Sequence, residues 1–565
     1  MKRYIILTIS LILLTNSCTE EVLEIENKGS LTADNWYKTV DDFEAAINSA
    51  YIPFMERGMF ALMMNFTVST FEDRILFETT GRDRFNTLNS SSSDAQDIWQ
   101  ALYHGVYRTS KLLQQLNIKG IDGIEGITEE QFNYLAAQAK AIRGMSYFYL
   151  VIFFDRPILY DENSLPDDLM KNYPNAEREA LWNQIESDFK EAIPHLKSRS
   201  ELADEEYGRV TKGAAQAQLA KSLLYKHYYF YERFNNGGSS ADIADLEEAS
   251  KYFRELMNSN EYELMQPLSP KTEKDYLYAL LCNSSFVDLN SENNFYKAEN
   301  NKESLWEVQF HDDKAFENNE WFSGHFSGGA MNVLWFSPHN ASFKNWEVHP
   351  YLYYEFDSVG APAPFDRDPR CKASIYFDGD TMGVNPNSPY YKKFNSIIST
   401  KRVASRRQID VPVGTALGVK KGFFPLYWDG LQAPANDPVN KRVIRYADVL
   451  LMYAEVMLIL GDDGSGLDAL NQVRQRVDMP DVPLLSRDAI MHERDIELAF
   501  EGHRWFDLIR WSFSPEWAIE WNEIHWGINA ENSIIPFVKG KHEFFPIPVT
   551  EIDVHQGQLK QNPGW

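Results

Sequence analysis

Four charged residues near the C-terminal end of the chain have the types and spacing that could support chemistry. They are Arg494, Glu497, Glu501 and Arg504. Successive members are three, four and three positions apart, so a helix would align all four on one face. Two carboxylates arranged in this way could serve as a general acid and base, or they could hold a metal ion.

A structural role is the alternative that we favour for these charges. Arginine and carboxylate alternate along the face and neutralise each other, which is typical of buried ion pairs that hold a helix against its neighbours. We expect Glu497 or Glu501 to pair with Arg494 or Arg504. Gly502 interrupts the stretch, so the helix should end or bend there.

The sequence lacks the motifs of established enzyme classes. His492 and Glu493 begin as a zinc-protease motif does, but Ile496 stands where the second histidine is required. There is no Walker loop, no dinucleotide-binding glycine motif, no nucleophile elbow and no zinc-type Cys/His spacing. Residues 461–464 lack the EF-hand pattern of a calcium loop. A glycosidase stays open because its two acids can lie far apart in sequence. We expect no catalysis, no cofactor and no metal.

The composition excludes one class of ligand and favours a binding role for some aromatic rings. The net charge of −27 argues against nucleic acid, whose phosphates need a basic face. The 14 Trp, 29 Tyr and 35 Phe can fill a core and still supply rings to a binding surface. The three cysteines, Cys18, Cys282 and Cys371, form no disulfide framework. Cys282 and Cys371 could pair, or they could be buried thiols.

The first residues indicate a secretion signal. Lys2 and Arg3 precede an apolar run, Tyr4–Leu14, whose 11 residues are too few to span a bilayer. Thr15–Ser17 and then Cys18 resemble a bacterial lipobox. We therefore expect cleavage before Cys18, lipidation of this residue, and membrane attachment through the lipid alone. The alternative is an ordinary secretory signal with an incidental cysteine.

Several pieces of residues 445–565 resemble one family. They are Arg445–Glu455 with Ala469–Arg476, Glu493–Trp511, Phe545–Asp553 and Gln561–Trp565. In this order they resemble the C-terminal signature of the SusD/RagB family, outer-membrane lipoproteins that capture glycans or other nutrients. Thr19–Glu21, directly after Cys18, resembles the surface-export signal of Bacteroidetes lipoproteins. The resemblance implies an outer-membrane protein that faces the cell exterior.

The elements that must position the charged residues are mostly helices. Apolar periodicity predicts helices at Phe43–Arg57, Ala95–Leu116, Thr128–Phe154, Glu179–Leu196, Thr211–Tyr231, Leu246–Met257, Val443–Leu460 and Gly466–Val477. In the second of these, Trp99, Tyr103 and Tyr107 form a stripe that is typical of a core. Paired helices with alanine at their contacts indicate a tetratricopeptide-type array. The resemblance implies the same class: a mainly α, SusD-like helical scaffold of such helix pairs, with irregular loops and short strands laid over it.

The chain divides into a signal, a tether and one large domain. We assign residues 1–17 to a lipoprotein signal peptide, 18–40 to an N-terminal tether and 41–565 to a SusD-like domain. Within that domain, 41–260 and 441–515 form the helical scaffold, 261–440 is a loop-rich ligand-binding segment, and 516–565 is a C-terminal segment.

Three features of the loop-rich segment have separate interpretations. Leu305–Phe310 resembles a strand of the family, which implies a structural role for Trp306. Asp366–Arg370 matches a turn of the family. The lysines and arginines of Tyr390–Lys421 form a basic patch that either faces an acidic partner or is solvated surface.

We predict the ligand site between two irregular, polar-aromatic segments, Leu62–Ser93 and Trp321–Trp346. Loops on a rigid scaffold are where binding residues concentrate. The expected stacking platforms are Trp321 and Trp335, with core packing as the alternative for either ring. The expected contacts to hydroxyl groups are His325, Asn332, Asp73 and Arg82.

Three functions are compatible with the sequence. The resemblance implies capture of an oligosaccharide or polysaccharide and its delivery to a SusC-type TonB-dependent transporter. The same architecture could capture peptides, as the RagB branch does. A surface glycoside hydrolase on a helical scaffold is the third. Fold resemblance does not transfer the identity of the ligand, because specificity resides in loops.

Overall fold

The computed structural model describes residues 36–64, 68, 71–77, 88–165, 173–266, 300–310, 346–363, 365–377, 381–382, 392–393, 417–421, 440–517, 519 and 537–565. Within these ranges the protein is mainly α-helical, as the sequence predicts. The two predicted scaffold ranges carry the long helices, and short strands lie between and beside them.

Six long helices occupy the N-terminal half. They are α1 (Val40–Met55), α2 (Ser93–Lys119), α3 (Glu129–Phe154), α4 (Arg178–Ala192), α5 (Lys212–Lys226) and α6 (Ser240–Met257). Each helix packs against the next, which is the arrangement of a helical-repeat array. The approach of α2 to α3 is close, since a Cβ on Gly105 would lie 2.6 Å from Ser146 Oγ.

Local sequence starts these helices within three residues of the predicted positions, except for α6, which begins at Ser240 and not at Leu246. Thr39 and Thr128 are the N-caps of α1 and α3, and each forms a capping box with a residue three positions later. In α1, Asp42 closes the box on the Thr39 cap. From Ala141 to Phe154 every residue of α3 is buried, so this helix lies at the centre of the scaffold.

The described residues of the C-terminal half add seven α-helices. They are α7 (Pro350–Glu355), α8 (Pro369–Ser374), α9 (Tyr446–Leu460), α10 (Asp463–Arg476), α11 (Arg487–Glu497), α12 (Arg504–Ser512) and α13 (Val549–Val554). α9 packs against α6 and α10. α11 contacts α7, α8, α9 and α10, so it connects the loop-bearing part of the chain to the helical scaffold.

The described strands form four two-stranded antiparallel pairs. β1 (Ile75–Phe77) pairs with β3 (Trp346–Val348), and β2 (Ser304–Val308) pairs with β8 (Lys441–Arg445). β4 (Ile375–Tyr376) pairs with β7 (Gly418–Val419), and β5 (Thr381–Met382) pairs with β6 (Lys392–Lys393). The predicted strand at Leu305–Phe310 is thus observed as β2. Trp306 in β2 is buried, and its Nε1 donates to the Gly208 carbonyl at 2.8 Å, which confirms its structural role.

The structure also corrects predictions that rest on apolar periodicity and on charge pattern. The predicted helix from Val443 begins at Tyr446, because residues 441–445 pair with β2 instead. Tyr107 is 37% exposed, so the core stripe of α2 ends at Tyr103. Lys421, in the predicted basic patch, is buried, and its Nζ donates to the Glu497 carbonyl at 2.6 Å. An amphipathic pattern does not show which apolar residue pairs with a distant strand.

The break predicted at Gly502 is confirmed. α11 ends at Glu497, and Phe500 and Gly502 both adopt positive φ angles, 65° and 79°, before α12 begins. Glycine tolerates this conformation without steric cost, whereas Phe500 must be held in it by its surroundings. The predicted single helical face is therefore not formed. Arg494 and Glu497 lie on α11, Glu501 lies in the turn, and Arg504 lies on α12.

Candidate ligand-binding surface

The pairing of β1 with β3 brings the two predicted ligand-binding segments together. Phe77 is opposite Trp346, and Ile75 is opposite Val348. The chain leaves β1 toward residues 78–87 and enters β3 from residues 311–345. Because the pair is antiparallel, both segments join the described structure at the same end of the ladder.

The predicted site residues divide according to what the structure describes. Outside the described residues lie Trp321, Trp335, His325, Asn332, Arg82, and also Cys18 and Cys282. Asp73 is described, and its expected contact with ligand hydroxyls is corrected. It is only 5% exposed, and its two carboxylate oxygens accept hydrogen bonds from Arg504 at 3.0 and 3.1 Å. Asp73 thus belongs to the support of the surface.

An ion-pair cluster anchors β1 to α11 and α12. Arg74 Nε donates to Asp495 Oδ1 at 3.1 Å, and Arg504 lies 3.7 Å from the same oxygen. Burial by itself would raise the pKa of Asp73, but the guanidinium groups of Arg504 and Arg74 hold it below its usual range. Asp73 and Arg74, which directly precede β1, are therefore held in place by ion pairs with Arg504 and Asp495.

Glu72 is a buried neighbour of this cluster. Its side chain is 1% exposed, and neither carboxylate oxygen has a hydrogen-bond partner in the described part of the chain. Burial raises its pKa well above the usual value, and the negative charges of Asp73 and Asp495 raise it further. This environment favours the protonated carboxyl group, so the arginines and ionised carboxylates of the cluster remain balanced.

A second cluster surrounds Glu497 and corrects its predicted partners. Glu497 Oε1 accepts from Arg445 at 2.7 Å and also contacts Arg476, and Oε2 accepts from Arg370 at 3.0 Å. Glu501 pairs with Arg445 and Lys421. Neither carboxylate pairs with Arg494 or Arg504, yet both are structural, as predicted. Burial acts to raise the pKa of Glu501, but Arg445 and Lys421 lower it to about 2.

Arg494 belongs to a third cluster, deeper in the scaffold. Its Nη1 donates to Asp448 Oδ1 at 2.9 Å and its Nε to Asp507 Oδ2 at 2.8 Å. Arg510 links Asp507 to Glu455, where Arg510 Nη2 donates to Oε2 at 2.7 Å. These contacts join α9, α11 and α12. The three clusters together make a rigid support for the strand pair.

Beside the strand pair, α7 presents two exposed aromatic rings that sequence reasoning did not single out. Tyr351 and Tyr354 are each 44% exposed. Their spacing of three positions after His349-Pro350 is the signal that could have found them, because it places both rings on one side of a short helix. His349 connects this helix to β1, since its N–H donates to the Arg74 carbonyl at 2.8 Å.

His492 contacts two carboxylates at the C-terminal end of α7. Its Nε2 lies 3.4 Å from Asp357 Oδ2 and its Nδ1 lies 3.6 Å from Glu355 Oε2. Burial lowers the pKa of His492, but the hydrogen bonds to Asp357 and Glu355 outweigh it and raise the pKa to about 10. The imidazolium therefore carries its charge at neutral pH and pairs with both carboxylates.

A cavity of about 50 Å³ lies between α3, α5, β8 and the turn before α12. Lys221 and His503 line it, and Asp448 lies 3.5 Å from Lys221 Nζ. Burial lowers the pKa of His503 to about 4. The charges of Lys221 and Arg494 also lower it, and the charge of Asp448 opposes them. The lining charges are shared with the Glu501 and Asp448 ion pairs, so we assign the cavity to the scaffold.

One trio of acids among the described residues is close enough to hold a metal ion: Glu186, Asp245 and Glu248. Two ammonium groups already lie among them. Lys226 Nζ is 2.6 Å from Glu186 and 2.8 Å from Asp245, and Lys190 Nζ is 2.8 Å from Glu248. The trio is therefore a set of ion pairs in this structure. Cys371 is a buried free thiol, and burial raises its pKa to about 12.

Comparison with known proteins identifies the family. The model of the SusD family matches residues 302–565, and a second family model, described as starch-binding and associating with the outer membrane, matches residues 31–224. The chain belongs to the SusD/RagB family. Both strands of the β1–β3 pair lie within the matched ranges, and so do the described helices except α6 and the last residues of α5, which lie between the two ranges.

Individual SusD-like proteins are similar along nearly the whole chain. A SusD-like protein of Bacteroides ovatus is 24% identical over 96% of this chain and 89% of its own length. The crystal structure of a SusD homolog from Bacteroides thetaiotaomicron has a TM-score of 0.70 at 22% identity, covering 94% of this chain and 98% of that one. A structure named laminarin binding SusD-like protein has a TM-score of 0.65 at 23% identity, covering 94% and 100%. These structures share the fold of this SusD/RagB protein. None of its described helices is long and apolar enough to span a bilayer.

Proposed function

We propose that this protein binds an oligosaccharide or polysaccharide at the cell surface and delivers it to a SusC-type TonB-dependent transporter. The observation that carries the proposal is the β1–β3 pair. It joins Leu62–Ser93 to Trp321–Trp346, the two polar-aromatic segments, next to the ion-pair clusters of the scaffold. Membership of a family with a starch-binding model, and the fold shared with a laminarin-binding protein, support carbohydrate as the ligand class.

The chemistry of the two segments suits a sugar. Sugar rings have flat C–H faces that lose water on contact with Trp or Tyr, and their hydroxyl groups need polar partners at the rim. Trp321 and Trp335 would supply the faces, and His325, Asn332 and Arg82 would supply rim contacts. Asp73 no longer belongs to this set, because Arg504 occupies its carboxylate.

We infer binding without turnover. The sequence has no catalytic motif. Next to the strand pair, Arg504 engages Asp73 and Arg74 engages Asp495, while Glu72, whose pKa is raised, is only 1% exposed. A general acid needs a raised pKa and access to the glycosidic oxygen, whereas the pKa of Asp73 is lowered and its side chain is buried. Peptide capture and glycoside hydrolysis are outcomes of the test that follows.

Replacing Trp321 or Trp335 with alanine should weaken glycan binding by at least about 2 kcal/mol, or roughly thirtyfold, with little loss of stability. Isothermal titration against a polysaccharide panel measures binding, and reducing-sugar release from the same samples measures turnover. Trp306→Ala is the core comparator, and truncation of this buried ring should cost about 3–5 kcal/mol of stability.

Four outcomes of this experiment would contradict the proposal or its assigned site. Two unstable variants would place Trp321 and Trp335 in the core, and two that bind normally would remove them from the site. Binding of peptides with no affinity for any polysaccharide would favour RagB-like capture. Sustained hydrolysis that one carboxylate substitution abolishes would show a glycosidase.

We also propose that Cys18 is lipidated and forms the mature N-terminus. Cys18→Ala should yield a soluble or uncleaved protein, because no other apolar segment of the sequence is long enough to anchor it. Cell fractionation and radiolabelled palmitate incorporation measure the result. The matched control is Cys371→Ala, which changes a buried thiol and should leave membrane attachment intact. Full partitioning of Cys18→Ala into the outer membrane would refute the anchor.

A further inference from the structure

Two exposed tyrosines form an aromatic face next to the root of the proposed site. Tyr351 and Tyr354 stand three positions apart on α7, so their rings are surface neighbours. Both are 44% exposed, although a tyrosine buries much apolar area when it packs in a core. β3 ends at Val348, and α7 begins at Pro350. The aromatic face therefore continues directly from the strand pair that bears the two loop segments.

Each ring of this face is supported by a neighbour within the protein. The Tyr351 ring lies parallel to the imidazole of buried His349, with centroids 4.8 Å apart and an interplanar angle of 10°. The guanidinium of Arg367 lies 4.2 Å from the ring centre of Tyr353 and 5.7 Å from that of Tyr354. Rings held in this way lose little conformational freedom when a ligand packs on them, so their orientation favours binding.

The carboxylates next to the aromatic face are compensated by cations. Arg74 Nη2 lies 3.9 Å from Glu355 Oε1, and Arg474 Nη2 lies 3.3 Å from Asp357 Oδ2. His492 already pairs with both Glu355 and Asp357. A face of aromatic rings with compensated charges at its rim attracts neither cations nor anions strongly. The net charge of the whole chain, −27, further disfavours a polyanionic ligand.

We propose that Tyr351 and Tyr354 are contact residues for an uncharged glycan chain and extend the ligand site along α7. This inference rests on the proposed function and adds a second contact region to it. Glycan units beyond those held by the loop segments would pack their C–H faces on the two rings, while the half-exposed carboxylate of Glu355 accepts hydroxyl hydrogens at the rim. Affinity should therefore rise with chain length up to the length that reaches α7.

The test compares long and short glycans on matched variants. Laminarin is the first probe, and any neutral polysaccharide that the parent protein binds replaces it if laminarin does not bind. The double variant Tyr351→Ala/Tyr354→Ala should bind the polymer roughly tenfold or more weakly, while its affinity for the shortest bound oligosaccharide stays at the parent value. Tyr107→Ala is the control, since this tyrosine is 37% exposed on α2. It should bind both ligands as the parent does.

A second measurement needs no substitution. Hydroxyl-radical footprinting of the parent protein should show that saturating polymer protects Tyr351 and Tyr354 but leaves Tyr107 labelled. If the double variant binds the polymer with the same affinity as the parent protein, this inference is overturned and the proposed function stands. The same holds if the parent protein binds the polymer without protection of the two tyrosines. Parent protein that binds no neutral glycan would overturn both.

Discussion

Glu497→Gln is expected to lower the free energy of unfolding by about 3–5 kcal/mol, because it removes a buried negative charge that three buried arginines share. The Glu497 side chain is contacted by Arg370, Arg445 and Arg476, which lie on α8, at the end of β8 and on α10. The pKa of Glu497 lies well below its usual range: burial alone would raise it, and the arginines more than offset this. Glutamine keeps the shape but not the charge.

Urea denaturation monitored by circular dichroism measures this effect. The control is Glu516→Gln, which removes a carboxylate paired with Arg487 at the surface, where both side chains are substantially exposed. Exposed pairs contribute about 0–1 kcal/mol, so this variant should unfold nearly as the parent does. Equal midpoints for the two variants would show that the Glu497 cluster does not stabilise the scaffold.

Arg504→Ala is the second substitution with a large expected effect. It removes both hydrogen bonds to Asp73 and leaves a buried carboxylate whose next cation is Arg74, at 3.8 Å. Breaking a buried pair in this way costs about 3–5 kcal/mol. Because Asp73 and Arg74 directly precede β1, the loss should also loosen the strand pair and reduce ligand affinity indirectly.

The comparison with Arg504→Lys separates support from ligand contact. Lysine keeps the positive charge but cannot form the two parallel hydrogen bonds to Asp73, so its stability should fall between alanine and the parent. Thermal melts and glycan titrations are measured on the same preparations. If Arg504→Ala stays fully stable and loses only ligand binding, Arg504 is a binding residue and the scaffold interpretation is wrong.

The sequence predicted those features of the fold that depend on neighbours within a few residues. Helix boundaries in the N-terminal half follow from apolar periodicity and from caps such as Thr128, and the break after α11 follows from Gly502. The strand that contains Trp306 came from resemblance to the family. Local rules succeed here because capping and turn formation use only adjacent backbone groups.

The helical class, the family and the structural role of the charges in residues 494–504 thus follow from the amino-acid sequence alone. Which of these charges pair with each other depends on the packing of the folded chain. Glu497 pairs with Arg370, 127 positions away, and Asp73 pairs with Arg504, 431 positions away. Helical spacing predicts neighbours three or four residues apart, whereas these partners come together through the packing of separate helices and strands. For the same reason, the pairing of residues 75–77 with 346–348 could be found only in the folded chain, whereas the amino-acid sequence had already predicted a site between the two segments that contain Phe77 and Trp346.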